Sequence, residues 1–211
     1  MKNTDIYISR GIDQALASWK NEENRKPLLI RGPRQVGKST AVRQLAQSFE
    51  YFIEVDFEAQ RNLHALFSSS LNPADICEQL SLYFSVPIIE GKTLLFFDEI
   101  QSCLPAISSI RYFYEKRPNL HLIAAGSLLE FALQELPSFG VGRVRSLFIR
   151  PFSFNEFLIA CDQSLMAQTL KKASVTSPIP ELIHKKIIAQ YKRFMAIGGM
   201  PEVVAKFCCR R

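Results

Sequence analysis

Apolar positions recur at two periods along this chain, and the periods alternate. Residues 5–20 place Ile8, Ile12, Leu16 and Trp19 at helical spacing, ahead of the polar run Lys20 to Lys26. A short apolar strand, Pro27 to Arg31, comes next, and from Lys38 the residues Val42, Leu45, Ala46 and Phe49 mark a helix. Tyr51 to Phe57 is aromatic and β-branched enough for a second strand, while Pro73 to Ser85 carries Ile76, Leu80 and Phe84 on one helical face. Thr93 to Phe97 is a third strand. A helix containing Ile107, Ile110, Phe113 and Tyr114 runs to Pro118, His121 to Ala125 is a fourth strand, and Val144 to Ile149 a fifth.

Short apolar strands separated by helices predict an α/β fold, a parallel sheet buried on both faces by crossover helices. After Pro151 only helices are expected, Phe154 to Cys161 and Glu181 to Ile197, with the Ser/Thr/Pro stretch Ser174 to Pro180 between them. The reading therefore divides the chain near residue 150, into a core (1–150, with the N-terminal helix) and a helical subdomain (151–211). A chain of 211 residues, 47% apolar, is long enough for one such core and a small appendage.

Ligands of parallel sheets bind beyond the carboxyl ends of the strands, and three segments converge there. The first is Gly32-Pro33-Arg34-Gln35-Val36-Gly37-Lys38-Ser39, followed by Thr40, which fills the pattern G-x-x-x-x-G-K-[ST] between a strand and a helix. Glycines let the backbone curl so that amide N–H groups at a helix N-terminus face a phosphate chain. In such a loop Lys38 reaches the β- and γ-phosphates and the Ser39 hydroxyl binds magnesium. A chance match in a chain of this length has odds on the order of one per cent, and the strand before and helix after lower them.

The second segment is Leu94-Leu95-Phe96-Phe97-Asp98-Glu99. Carboxylates at the end of a buried strand are costly without a cation or donors. Asp98 suits a magnesium-holding role opposite Ser39, and Glu99 that of the general base that polarises an attacking water. The bland alternative is that both acids open the next helix, where they favour its N-terminus.

The third is Ser127, after Leu122-Ile123-Ala124-Ala125-Gly126; it could bond a γ-phosphate or the attacking water, or cap a helix with Glu130 as a capping box, and both roles are compatible. Arg143 is a candidate for neutralising transition-state charge, with Arg145 its rival and a solvated arginine the bland alternative.

Together these stretches resemble a known family. The loop, Phe97-Asp98-Glu99-Ile100-Gln101, Ala125-Gly126-Ser127, Gly142-Arg143, Pro151-Phe152-Ser153-Phe154-Asn155-Glu156-Phe157 and Gly198-Gly199-Met200-Pro201-Glu202 look like prokaryotic AAA-type ATP-binding proteins, from about Arg10 to Val204. Members usually carry a C-terminal domain of unknown function. The resemblance implies a P-loop NTPase sheet of five parallel strands, the acidic-pair strand next-but-one to the loop strand, with a helical subdomain. It implies Walker A and Walker B roles for Lys38, Ser39, Asp98 and Glu99, a sensor-like role for Ser127, and an arginine finger or sensor at Arg143. ATP and magnesium are the implied ligands, and ATP hydrolysis coupled to an unknown protein client the implied activity. Such relatives continue beyond the Gly-Gly-Met-Pro segment, so the chain is expected to be C-terminally truncated. The alternative is a nucleotide-binding switch, or remnant, with negligible turnover.

Charge and cysteine usage narrow the remaining choices. The 26 basic and 20 acidic residues give a net charge of +6, which favours an anionic partner. Lys185, Lys186, Lys192 and Arg193 fall on one face of the Glu181–Ile197 helix, and Ile183, Ile187, Ile188, Phe194 and Met195 on an apolar one. A solvated face over a packed stripe is the favoured reading, and nonspecific nucleic-acid contact the alternative. If Arg143 acts in trans, a homo-oligomer is required. Five cysteines without a C-x-x-C pair, three scattered histidines and no membrane-length apolar run point to a cytoplasmic protein without a histidine- or cysteine-held metal. No Asn-Lys-x-Asp guanine signature occurs, and a kinase reading lacks an acceptor-pocket motif.

Overall fold

The computed structural model describes residues 7–127, 129–134 and 142–208. The chain divides into two compact units: Ala15–Ile149, and Met1–Gln14 with Arg150–Arg211. One boundary therefore falls inside the first helix, α1 (Gly11–Lys20), between Gln14 and Ala15.

In the unit Ala15–Ile149 the elements run β1 (Leu28–Arg31), α2 (Lys38–Ala46), β2 (Tyr51–Asp56), α3 (His64–Ser69), α4 (Pro73–Phe84), β3 (Thr93–Asp98), α5 (Leu104–Lys116), β4 (His121–Gly126), α6 (Leu129–Gln134) and β5 (Arg145–Phe148). The strands form one sheet in the order β2-β3-β4-β1-β5, and every pairing is parallel. β4 lies between the acidic-pair strand and the loop strand, the spacing the resemblance implied. β3 and β4 are buried from end to end, which is why TLLFFD and HLIAAG read as continuous apolar runs. The edge strand β2 alternates, and the edge strand β5 is largely exposed.

Phe57, Phe67, Phe97 and Phe113 meet edge to face in the core, with centroids 5.1–6.0 Å apart. Such pairs contribute about 0.5–1.5 kcal/mol each beyond their buried area. Buried Thr93 keeps its hydroxyl satisfied by donating to the Pro87 carbonyl (3.0 Å) and accepting from the Ile89 N–H (2.9 Å). The Trp19 indole N–H donates to the Lys26 carbonyl at 2.7 Å, tying the polar run after α1 back to the helix.

The other unit holds α7 (Phe154–Ala160), α8 (Ser164–Lys172), α9 (Glu181–Ile197) and α10 (Pro201–Cys208). Its core gathers Phe152, Phe157, Cys161 and Val204, with Ile8, Phe194 and Phe207 packed against them. Ser153 and Glu156 form a reciprocal capping box at the start of α7. Gly199 lets two backbone segments close: the Phe152 N–H donates to its carbonyl at 2.7 Å, and a Cβ there would lie 2.4 Å from the Phe152 oxygen.

Three details differ from the periodicity. α1 begins at Gly11, and Tyr7–Arg10 is not helical: the Asp13 carboxylate accepts from the Arg10 N–H (2.7 Å) and from the Tyr7 hydroxyl, ending the helix there. α3, α8 and α10 are additional short helices whose six to nine residues leave little period to read. On α9, Ile188 (39% exposed) and Met195 (65%) are not on the apolar face; the inward stripe is Ile183, Ile187, Phe194 and Ile197. Each displaced residue follows an inward one, and one step rotates a side chain by about 100° around the helix. Glu130, the partner expected in a Ser127 capping box, has a side chain outside the described residues.

Candidate functional site

β1 delivers the chain to the carboxyl edge of the sheet, and Gly32 turns it there. A Cβ on Gly32 (φ 145°) would stand 2.1 Å from the Ile149 carbonyl oxygen, so only glycine fits where the loop leaves β1 beside the end of β5. The Ile149 N–H holds that approach by donating to the Arg31 carbonyl at 2.8 Å. Pro33, Arg34 and Gln35 are exposed and Val36 is buried. Gln35 (φ 62°) and Gly37 (φ 86°) are left-handed, a reversal of the kind that turns successive N–H groups into a concave anion-binding nest. Gly37 caps α2 without a side-chain acceptor, so the first N–H groups of that helix are offered to whatever the loop encloses. Thr40 lies exposed in the first turn of α2.

Lys38 is only 5% exposed. Its ammonium curls back beneath the loop and donates to the carbonyls of Gly32 (3.0 Å) and Pro33 (2.9 Å). Burial lowers its proton affinity, the nearby Glu99 and Asp98 carboxylates oppose that, and the Arg34 guanidinium adds to the lowering. The next side chain, Ser39, donates its hydroxyl to Asp98 Oδ2 at 2.5 Å. Burial raises the Asp98 carboxyl above the ordinary carboxylate range, against the hydrogen bonds from Ser39 and from the Glu99 N–H at 3.0 Å. A buried acid raised in this way is the kind of group that a cation would stabilise in its ionised form.

Glu99 is left-handed (φ 46°, ψ 42°), which bends the chain sharply after β3. Its Oε2 accepts from the Gln101 amide nitrogen at 2.6 Å and, weakly, from the Ser127 hydroxyl at 3.5 Å. The Arg34 Nε donates to the same hydroxyl at 3.4 Å. A continuous polar chain thus runs Arg34, Ser127, Glu99, Gln101 across the ends of the loop, β4 and β3. Gly126 makes room for its last member: a Cβ there would fall 2.2 Å from Gln101 Oε1. That buried amide oxygen has no hydrogen-bond partner among the described residues.

Gly32 to Ser39, Asp98, Glu99 and Ser127 therefore lie together. Arg143 and Arg145 do not. Arg145 is paired with Leu28 at the first position of β1, so it lies at the amino edge of the sheet, about 10 Å along the strand from the loop end. There it forms an ion pair with Glu22 at 2.6 Å. Arg143, two residues earlier, pairs with Glu115 in the last turn of α5 at 2.7 Å. Neither can reach the loop of its own chain. Sequence reading placed Arg34 in the phosphate loop without giving its side chain a separate role, and it gave Gln101 none; the left-handed turn at Glu99 and the reversal at Gln35 accompany their meeting through Ser127 and Glu99.

The donor set fits a magnesium triphosphate: offered amides, an ammonium, a hydroxyl and a carboxylate suited to a hard cation. A five-stranded parallel sheet with this loop leaving its central region is the α/β P-loop NTPase fold. A family model described as AAA domain matches residues 24–158, and the chain belongs to that family.

Among solved structures, a Walker-type ATPase of Pyrococcus abyssi superposes with a TM-score of 0.54 at 19% identity, over 94% of this chain and 66% of the other. The Orc1 protein of Aeropyrum pernix, solved in complex with DNA, gives 0.45 at 14% identity over 92% and 62%. The PCH-2 protein of C. elegans gives 0.42 at 16% over 78% and 48%. The chain thus spans less than two thirds of the length of each of these structures. No curated protein matches it. Among the described residues no helix is long and apolar enough to cross a membrane, and no group of three or more His, Cys, Asp or Glu side chains could hold a metal ion.

Proposed function

We propose that the chain binds ATP with magnesium and hydrolyses it. The observation that carries this reading is the meeting, at one sheet edge, of buried Lys38, the Ser39–Asp98 pair and Glu99. The backbone N–H groups of residues 34–39 bind the phosphates, and Lys38 exchanges its two loop carbonyls for β- and γ-phosphate oxygens. Ser39 and Asp98 would hold magnesium, which supplies charge neutralisation at the phosphates. Glu99 orients a water and takes its proton as the water oxygen bonds to the γ-phosphorus; the bond to the bridging oxygen breaks, leaving ADP and phosphate. Ser127 fixes the Glu99 carboxylate or the water.

We place the protein in the cytoplasm, where its cysteines stay reduced, and expect turnover to act on a protein client. A homo-oligomer is the setting in which Arg143 of one copy could serve another. The exposed Lys185, Lys186, Lys192 and Arg193 of α9 would support nonspecific, salt-sensitive contact with nucleic acid.

A second reading, a nucleotide-holding switch with negligible turnover, draws on the internal satisfaction of Lys38 and Ser39, since binding must break both sets of bonds. Phosphate release and nucleotide affinity separate the two. Lys38→Ala should weaken ATP binding by about tenfold or more, and Glu99→Gln should bind normally while hydrolysing about 10²–10⁴ times more slowly. Equal phosphate release by all three proteins sinks the hydrolase; tight binding by a wild type that releases none selects the switch.

A further inference from the structure

Hydrolysis builds charge on the terminal phosphoryl oxygens, and P-loop enzymes meet it with an arginine supplied from the same chain or from another. Arg143 and Arg145 are held at the far edge of the sheet by Glu115 and Glu22. Arg34 is on the loop itself. It is exposed, and among the described residues it makes no ion pair; its single hydrogen bond runs from Nε to the Ser127 hydroxyl. Among the described residues the two terminal nitrogens of its guanidinium, which offer four of its five N–H donors, have no hydrogen-bond or ion-pair partner.

We infer that Arg34 is the charge-neutralising catalytic arginine of its own chain, its guanidinium fork binding the terminal phosphate oxygens and discriminating a triphosphate from a diphosphate. This rests on the proposed ATPase reading and adds to it the source of the cation and the basis of nucleotide selectivity.

Three observations support the assignment. The bond to Ser127 ties Arg34 to the group that also contacts Glu99, so the cation and the proposed base share one hydroxyl. The Lys38 ammonium donates to the carbonyl of Pro33, the residue directly before Arg34, at 2.9 Å, so the loop brings two cations to one short segment. The left-handed residue Gln35 directly after Arg34 fixes the turn that sets the guanidinium on this side of the loop. A planar fork is also the right shape for paired phosphate oxygens, which a lysine cannot match.

The test compares wild type, Arg34→Ala and Arg34→Lys by calorimetry with magnesium ATP and magnesium ADP, and by phosphate release. Arg34→Ala should leave ADP affinity within about twofold, lower ATP affinity by about tenfold and slow turnover by at least about 10²-fold. Arg34→Lys keeps the charge and should recover part of the ATP preference, which a merely structural defect would not allow. Parallel loss of ATP and ADP affinity, or turnover within about twofold of wild type, overturns the inference.

Mixing Arg34→Ala with Glu99→Gln chains tests whether the arginine serves its own site. No recovery of phosphate release is expected; recovery would show the arginine acting between chains and overturn the assignment. A wild type that binds no nucleotide instead defeats the ATPase reading itself, an outcome distinct from every result for the Arg34 variants.

Discussion

At the scale of single residues, burial of polar groups is informative only when their partners are counted. Lys38 and Asp98 are buried at the carboxyl edge, Lys38 donating to the Gly32 and Pro33 carbonyls and Asp98 accepting from the Ser39 hydroxyl, and the proposed phosphate and metal roles account for both. His121, buried at the opposite end of β4, has a structural explanation. Its ring packs edge to face against Trp19 and Phe49, at 5.7 and 4.7 Å, and its Nε2 faces the Lys20 carbonyl at 3.1 Å. Nε2 must therefore carry the proton, and Nδ1 is buried without a partner among the described residues. Burial, with the nearby Arg25 and Lys20 charges adding to it, lowers the imidazole pKa from 6.5 to about 4. The sign follows from linkage: between these values the unfolded chain binds a proton that the folded chain refuses, so stability is full above pH 6.5 and falls as the pH drops toward 4. The loss amounts to at most about 3 kcal/mol. Urea denaturation across this range should show it, and His121→Asn, which keeps a donor for the Lys20 carbonyl, should flatten the slope. An unchanged slope in the variant would assign the acid sensitivity to other groups.

At the scale of elements, short-range chemistry fixes the ends that periodicity leaves vague. α7 starts at Phe154 because Ser153 accepts from the Glu156 N–H (3.3 Å) while Glu156 accepts from the Ser153 N–H (2.8 Å). Glu156 also accepts from the Gly11 N–H at 3.0 Å and lies 3.5 Å from the Arg10 guanidinium, so one carboxylate anchors two helix starts. Ser153→Ala should cost about 1 kcal/mol in denaturant unfolding, and Glu156→Ala more, since the Gly11 N–H and the Arg10 charge lose their acceptor as well. The reverse order would mean that the box contributes more than the anchor. The same contrast explains what was legible beforehand. β1, β3, β4 and α2 announced themselves, because fully buried strands are continuous apolar runs and the loop motif dictates strand before and helix after. α3, α8 and α10 did not, because six to nine residues give too few turns for a period. Along α9 a shift of one residue moved Ile188 and Met195 off the inward face, an error open to any helix with apolar residues in adjacent positions.

At the scale of the whole molecule, strand order decides which sequence motifs can share a site, and periodicity does not contain it; only the family resemblance implied it. Three motifs predicted to follow strands do meet, because β1, β4 and β3 are neighbours and parallel, so that their ends share one edge. The Gly142-Arg143 motif precedes a strand instead of following one, and parallel pairing of β5 with β1 then commits Arg145 to the start of β1. The same parallel rule that gathers Lys38, Asp98 and Ser127 thus removes Arg143 and Arg145 from their own chain's loop, where each is paired with an exposed glutamate. Exposed pairs of this kind contribute about 0–1 kcal/mol, so Arg143→Ala and Arg145→Ala should unfold within that margin of wild type. In dilute protein, where chains do not associate, both variants should also release phosphate at a rate within about twofold of wild type. If Arg143→Ala is instead slow by orders of magnitude only at concentrations where copies assemble, its cation serves a neighbouring copy, and the amino edge of one sheet must face the carboxyl edge of the next. A comparable loss at every concentration would contradict the topology itself, since no arrangement of a single parallel sheet brings the beginning of β5 to the end of β1.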